Sequence, residues 1–243
     1  MAFIDLANPT RFLAWSARIL PWLAGAAVAV LALGLGLAFS APADYQQGET
    51  VRIMYIHVPF AWLSMFGYSM MAASALGILV WRHPLADVAH KAAAPIGATF
   101  TFLCLVTGAL WGRPMWGTYW VWDARLTSVL VLLLLYLGLM ALRAAVDDPS
   151  RAGRAAAVLT LVGAINLPIV KFSVDWWNTL HQPASVFRMD GPTIDPSMLW
   201  PLLLCAGGFM LLFLALHMFA MRTEILRRRV EALEARAAAE ALA

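Results

Sequence analysis

Charge is what this chain has least of. Asp, Glu, Lys and Arg make up 13% of its 243 residues, about half of the roughly 25% usual for a soluble domain. With 62% hydrophobic residues, a water-soluble fold of this length has nowhere to hide its apolar surface, whereas a bilayer lets apolar side chains face lipid. Cysteine is nearly absent. Cys104 and Cys205 lie in apolar runs and form no Cys-x-x-Cys pair, which leaves no readable thiol redox motif or zinc ribbon. There is no Gly-x-x-x-x-Gly-Lys loop, so any ATP dependence has to come from a partner. No nucleophile triad or carboxylate dyad can be read, and Asp175, Asp190 and Asp195 read as turn or capping residues. The net charge is only +3. Basic residues sit in short loops and a tail, a pattern of membrane orientation rather than nucleic-acid binding. Residues 1–9 are mixed and include Asp5. The first apolar run is too long for a signal h-region and lacks a convincing small-residue cleavage site, so it is expected to be a retained helix.

What the chain does have is long apolar runs. A bilayer core takes roughly 20 apolar residues per helix. Six stretches qualify, at about residues 19–39, 60–81, 92–111, 126–142, 155–172 and 198–221. The fifth is the weakest, with Asn166 and Pro168 in its second half. The expected fold is an all-α polytopic membrane protein with six transmembrane helices. Residues 1–221 form the membrane domain, and residues 222–243 form a charged helical tail continuing the last span. That tail reads either as a solvated or headgroup-lying helix or as a docking helix. The tails and loops 2 and 4 together hold 12 of the 17 Lys and Arg residues. The excess of positive charge in cytoplasmic segments then puts both termini in the cytoplasm and turns loops 1, 3 and 5 outward. His83 and His90 fall in cytoplasmic loop 2 and are expected to be solvated. His217 lies about one turn from the inner end of the last span, where snorkelling explains it.

The outer side is aromatic. Of 11 tryptophans, the outer group comprises Trp62, Trp111, Trp116, Trp120, Trp122, Trp176, Trp177 and Trp200. An interfacial belt would decorate both faces, but the inner side has only Trp15, Trp22 and Trp81. If the segment from Trp116 to Asp123 is helical, Trp116, Trp120 and Asp123 share one face. Such a face is a flat apolar shelf, suited to a large planar aromatic ligand such as haem. An elaborated belt remains the other reading. Asp123 reads as the N-cap of the fourth span, a role compatible with one in a site.

Two outer histidines each stand two residues before a proline, in His57-Val58-Pro59 and His181-Gln182-Pro183. The residue before proline favours extended geometry and proline suits a first helical turn, so each imidazole is expected at a strand-like approach to a helix. Two neutral imidazoles on opposite faces of a porphyrin make a six-coordinate iron; ordinary loop histidines are the alternative. Arg52, Arg125 and Arg188 are candidate propionate partners, because arginine suits carboxylates. Tyr55, Trp62, Trp176 and Trp177 are candidate apolar walls.

The segment Trp116-Gly117-Thr118-Tyr119-Trp120-Val121-Trp122-Asp123-Ala124-Arg125-Leu126-Thr127 resembles the WWD signature of haem-handling proteins. Within that group, the length, the six spans and the two external histidines resemble the CcmC (heme exporter protein C) family of the cytochrome c maturation system, through about Met221. The resemblance implies that His57 and His181 are the axial ligands of haem b (iron protoporphyrin IX). It implies that Trp116, Gly117, Trp120, Trp122 and Asp123 belong to the platform under the ring. It further implies a bacterial inner-membrane protein, not itself an enzyme, that holds haem at the periplasmic face. That protein delivers haem to the chaperone CcmE and works with CcmD and the ABC-type subunits CcmA and CcmB. Two other readings stay open. One is a cytochrome c haem lyase of the CcsA or CcmF type, although those relatives carry additional spans and histidines. The other is a transmembrane haem transporter, although the polar chemistry clusters at the outer surface.

Overall fold

A computed structural model describes residues 8–242. The expectation of a retained N-terminal segment rests partly on residues 1–7, which lie outside the described residues. Helix α1 spans Pro9–Ser40, α2 Met54–Trp81, α3 Pro84–Trp116, α4 Ala124–Ala145, α5 Pro149–Gly163, α6 Asn166–Trp176 and α7 Pro196–Ala241. A 3-10 segment, Glu49–Ile53, leads into α2. Among the described residues there is no strand beyond an isolated bridge between Asp44 and Gly48. With α5 and α6 read as one span, six segments are long and apolar enough to cross a membrane. The chain is an all-α polytopic membrane protein, as its hydropathy predicts.

Four helices begin with proline in the first turn, where a missing N–H costs nothing. The residues before three of them cap the free amides. Asn8 accepts from Thr10 and Arg11, Asp148 from Ser150 and Arg151, and Asp195 from Ser197. The helices run well past their apolar windows, because charged residues at the bilayer surface extend a helix without raising its hydropathy. Loop 2 accordingly shrinks to Arg82 and His83. This corrects the expectation for His90, which lies on α3 and is fully buried. Its Nδ1 accepts from Arg143 at 3.1 Å, so its Nε2–H faces Thr160 Oγ1 at 2.7 Å. His217 does not snorkel either; it is buried on α7 and stacked on Phe213 at 6.2 Å.

The fifth span breaks at Ala164 and Ile165. Pro168 has no N–H to give to the Ala164 carbonyl, and its ring crowds that same oxygen. Asn166 is buried at the break, where its amide donates to the Ser128 carbonyl at 2.9 Å. The break sends α6 along α4, while α5 packs on both α2 and α4. Small residues let α1 and α7 approach closely. A Cβ on Gly34 would lie 2.9 Å from the backbone nitrogen of Cys205.

Charge is gathered at one end of the bundle. Asp87 accepts from Arg143 at 2.8 Å and from Arg228 at 2.6 Å. Glu224 accepts from Lys91 at 3.0 Å, from Arg227 at 2.7 Å and from Arg228 at 2.7 Å. Arg229 donates to Thr10 at 2.6 Å, so the start of α1 and the far part of α7 lie at this same end. The helix α7 continues without interruption through residues 222–241, exposed from Arg229 onward.

Candidate functional site

The opposite end holds the two outer histidines. His57 is not at a strand-like approach, which corrects that expectation. Ile53, with φ −61° and ψ −28°, splices the 3-10 segment directly into α2, so His57 is already helical. Pro59 lies inside α2, where its missing N–H leaves the Tyr55 carbonyl without its usual donor four residues on. His57 Nδ1 lies 3.1 Å from the Cys104 carbonyl and 3.1 Å from Thr107 Oγ1, both on α3. A carbonyl oxygen can only accept, and the Thr107 hydroxyl already donates to the Leu103 carbonyl at 2.7 Å. The proton therefore sits on Nδ1, and Nε2 keeps a free lone pair. The Trp111 ring packs edge-on against the imidazole at 5.6 Å.

His181 lies in the irregular stretch between α6 and α7. No helix starts at Pro183; the next begins at Pro196, so the proline there stiffens a loop instead. His181 Nδ1 lies 3.3 Å from Asp123 Oδ2. The other oxygen, Asp123 Oδ1, accepts from the Leu126 N–H at 2.8 Å and caps α4. One carboxylate thus fixes both a helix start and a histidine. Burial, the largest influence, lowers the His181 pKa from its ordinary 6.5, against the opposing pull of Asp123. The ring is neutral at neutral pH, with its proton toward Asp123 and Nε2 free. The Trp116 indole packs against this ring at 4.8 Å.

The tryptophan segment does not form the single helical face that its spacing allows. Trp116 is the last residue of α3, Gly117 turns the chain at φ 74°, and residues 117–123 are irregular. The segment follows a C-terminal glycine and precedes the Asp123 cap, so its chain is a corner between two helices. Trp120 packs on Trp122 at 5.3 Å, with its indole N–H buried and without a protein partner. Trp122 itself is 74% exposed.

Both imidazoles line one cavity of about 900 Å³ between α2, α3, α4, α6 and the loop that follows α6. Trp62, Trp111, Trp116 and Arg125 also line it. Arg125 donates to Ser173 Oγ at 3.0 Å and to the Lys171 carbonyl at 3.4 Å, and Lys171 lines the same cavity. Asp123 stands behind His181, while Gly117, Trp120 and Trp122 form the corner beside Trp116. The remaining candidates lie elsewhere. Arg52 pairs with Glu49 at 2.9 Å and sits over the Phe39 ring. Tyr55 is buried outside the cavity wall. Arg188 is exposed. Trp176 and Trp177 pack on each other at 5.7 Å. Sequence reasoning did not single out Thr107 or Lys171. A lone threonine in an apolar run carries no signal. Lys171 was visible only as a cation near the outer end of the weakest span.

Among the described residues, no three or more His, Cys, Asp or Glu side chains group to hold a metal. Two imidazoles on one cavity instead suit an ion that brings its other donors with it.

The family profile described as heme exporter protein C matches residues 2–236. A heme exporter protein C of Bradyrhizobium diazoefficiens is 73% identical over 234 residues, covering 96% of this chain and 89% of that protein. The one from Escherichia coli is 53% identical over 223 residues, covering 91% of this chain and 90% of that protein. A CcmC-like mitochondrial protein of Marchantia polymorpha, named for cytochrome c biosynthesis, is 46% identical over 211 residues, covering 86% of this chain and 90% of that one. With a helical bundle, a two-histidine cavity and a match along almost all of its length, this chain belongs to the heme exporter protein C family.

Proposed function

We propose that this protein takes part in heme export for cytochrome c biogenesis by holding haem b at the periplasmic face of the bacterial inner membrane and delivering it to the chaperone CcmE. Haem is its cargo, and the protein acts as a delivery component rather than an enzyme. The names of its relatives support the haem-handling role, and the excess of basic residues at the other end of the bundle supports the orientation, with both termini cytoplasmic. An ABC-type complex with CcmA, CcmB and CcmD would supply the ATP-dependent step.

One observation carries the reading. His57 and His181 line the same cavity, and each has Nδ1 engaged by an oxygen acceptor, which leaves both Nε2 atoms available. Orienting partners of this kind are the usual companions of a metal-binding histidine. The cavity of about 900 Å³ falls within the range of roughly 300–1,000 Å³ for ligand pockets. Trp111 and Trp116 offer apolar surface to a porphyrin. Arg125 and Lys171 offer cations to its two carboxylates.

The test is the haem content of the purified protein. The wild type is expected to carry b-type haem with a bis-imidazole Soret and low-spin spectrum. His57→Ala combined with His181→Ala should abolish that spectrum. Full haem retention in the double variant would refute ligation by these residues.

A further inference from the structure

Helix α3 contributes more than a wall. We infer that Thr107, with Gly108 beside it, is the positioning device for the His57 ligand, reinforcing the tautomer that the Cys104 carbonyl requires and setting the direction in which Nε2 points. The inference rests on the haem-ligation reading above and deepens it.

The geometry is specific. His57 is carried by α2 and its ring reaches across to α3, where Nδ1 meets two oxygens of one helical turn. These are the Cys104 carbonyl and Thr107 Oγ1, each at 3.1 Å. In a regular helix the Cys104 carbonyl is committed to the amide of Gly108, so alone it offers a shared acceptor. Thr107 changes this. Its hydroxyl proton is engaged by the Leu103 carbonyl at 2.7 Å, with the Cys104 carbonyl at 3.2 Å. The Oγ1 lone pairs therefore face the histidine. The hydroxyl accepts there, so it joins the Cys104 carbonyl in holding the Nδ1–H tautomer, and two oxygens in place of one fix the direction of the ring.

Gly108 supplies the room. A Cβ at this position would stand 2.8 Å from His57 Cε1 and 3.4 Å from Nδ1. The Cε1 edge of the ring therefore lies against bare backbone, and only glycine at 108 permits that approach. Trp111 closes the same side one turn further on. His57 is held on three sides before any ligand arrives, by a threonine acceptor, a glycine floor and an indole edge. His181, on its loop, has Asp123 and Trp116 for the same purposes. The two ligands are thus oriented by different chemistry: a carboxylate on the loop side, a neutral hydroxyl inside the bundle. A neutral acceptor is the fitting choice inside, where a carboxylate would need a cation to be buried with it.

Thr107→Val keeps the shape and removes the acceptor; Thr107→Ser restores it; Gly108→Ala crowds the ring without touching polar groups. Each is purified as the full chain with haem and examined by electron paramagnetic resonance and optical spectroscopy, with the thermal melting of the haem-free protein as a control. Thr107→Val is expected to convert part of the low-spin bis-imidazole signal to high-spin. It should also weaken haem retention by about 10-fold or more, as loss of an orienting partner does elsewhere. Thr107→Ser should look like the wild type, and Gly108→Ala should resemble Thr107→Val. Melting of haem-free Thr107→Ser and Gly108→Ala should stay near the wild-type value. A wild-type bis-imidazole signal left unchanged by both Thr107→Val and Gly108→Ala would overturn the positioning role while leaving ligation intact. Absence of that signal from the wild type would overturn the ligation reading and this inference with it. Should Thr107→Val fail to fold, Gly108→Ala decides alone.

Discussion

Gly117 turns the chain out of α3 at φ 74°, and a Cβ there would meet nothing within 4 Å. Its requirement is conformational rather than spatial. Gly117→Ala should therefore lower stability by about 1–2 kcal/mol, the cost of a left-handed L-residue. Thermal unfolding in detergent, followed by tryptophan fluorescence, would register it as a lower melting temperature. The two ligand candidates were legible as residues, because histidine is scarce and both stand on the outer side. Their holders were legible unequally. Asp123 announced itself through its capping position. Thr107 did not, because nothing in a single apolar run says that another helix will bring an imidazole beside it. His90 shows the opposite failure. A histidine near a charged loop reads as solvated, yet the helix begins before it and turns it inward against Arg143 and Thr160.

At the scale of the element, the fifth span is the instructive one. Its weakness in hydropathy, Asn166 and Pro168 all reported a disturbance; what they could not report was its direction. The break lets Asn166 reach the Ser128 carbonyl and lets Ser173 receive Arg125. Pro168→Ala supplies the helical i−4 donor to the Ala164 carbonyl, which here accepts from the Leu167 N–H at 3.1 Å instead, and removes the ring that crowds it. The variant should heal the break and swing α6 away from α4, loosening Arg125 and Lys171 at the cavity. Faster amide exchange around Ser173, slower exchange at residues 164–168 and a reduced haem content would be the signs. Unchanged exchange at both places would mean that Asn166, not Pro168, dictates the bend. The other spans were readable in number and order, but their ends were not. Hydropathy records only the part of a helix that lipid sees, and α3 and α7 both continue into polar surroundings. The helical reading of residues 116–123 failed for a related reason. Side-chain spacing fits a helix there, but Gly117 ends one helix and the Asp123 cap starts another.

On the scale of the whole molecule, the ionic network and the cavity occupy opposite ends. Asp87 sits between Arg143 and Arg228, with its side chain 18% exposed. Asp87→Ala leaves two guanidinium groups without that partner. Because Arg143 keeps His90 and Arg228 keeps Glu224, the substitution should cost about 1–3 kcal/mol, the scale of lost charge-assisted hydrogen bonds. Melting of the detergent-solubilised protein would report the loss. The haem spectrum should remain that of the wild type, because no cavity residue touches the network. A changed spectrum would reveal coupling between the two ends.

The placement of these ion pairs also divides the bundle by the kind of interaction that secures each end. At the end where the chain begins and finishes, Asp87 and Glu224 bind α3, α4 and α7 together. At the other end, among the described residues, Asp123 and His181 join separate segments through a hydrogen bond from a neutral ring rather than through an ion pair. The two ends are thus secured by different means: ion pairs at one, and apolar packing with individual hydrogen bonds around the cavity at the other. Salt, which screens exposed charge far more than it affects apolar packing, should therefore loosen the first end and leave the second as it is.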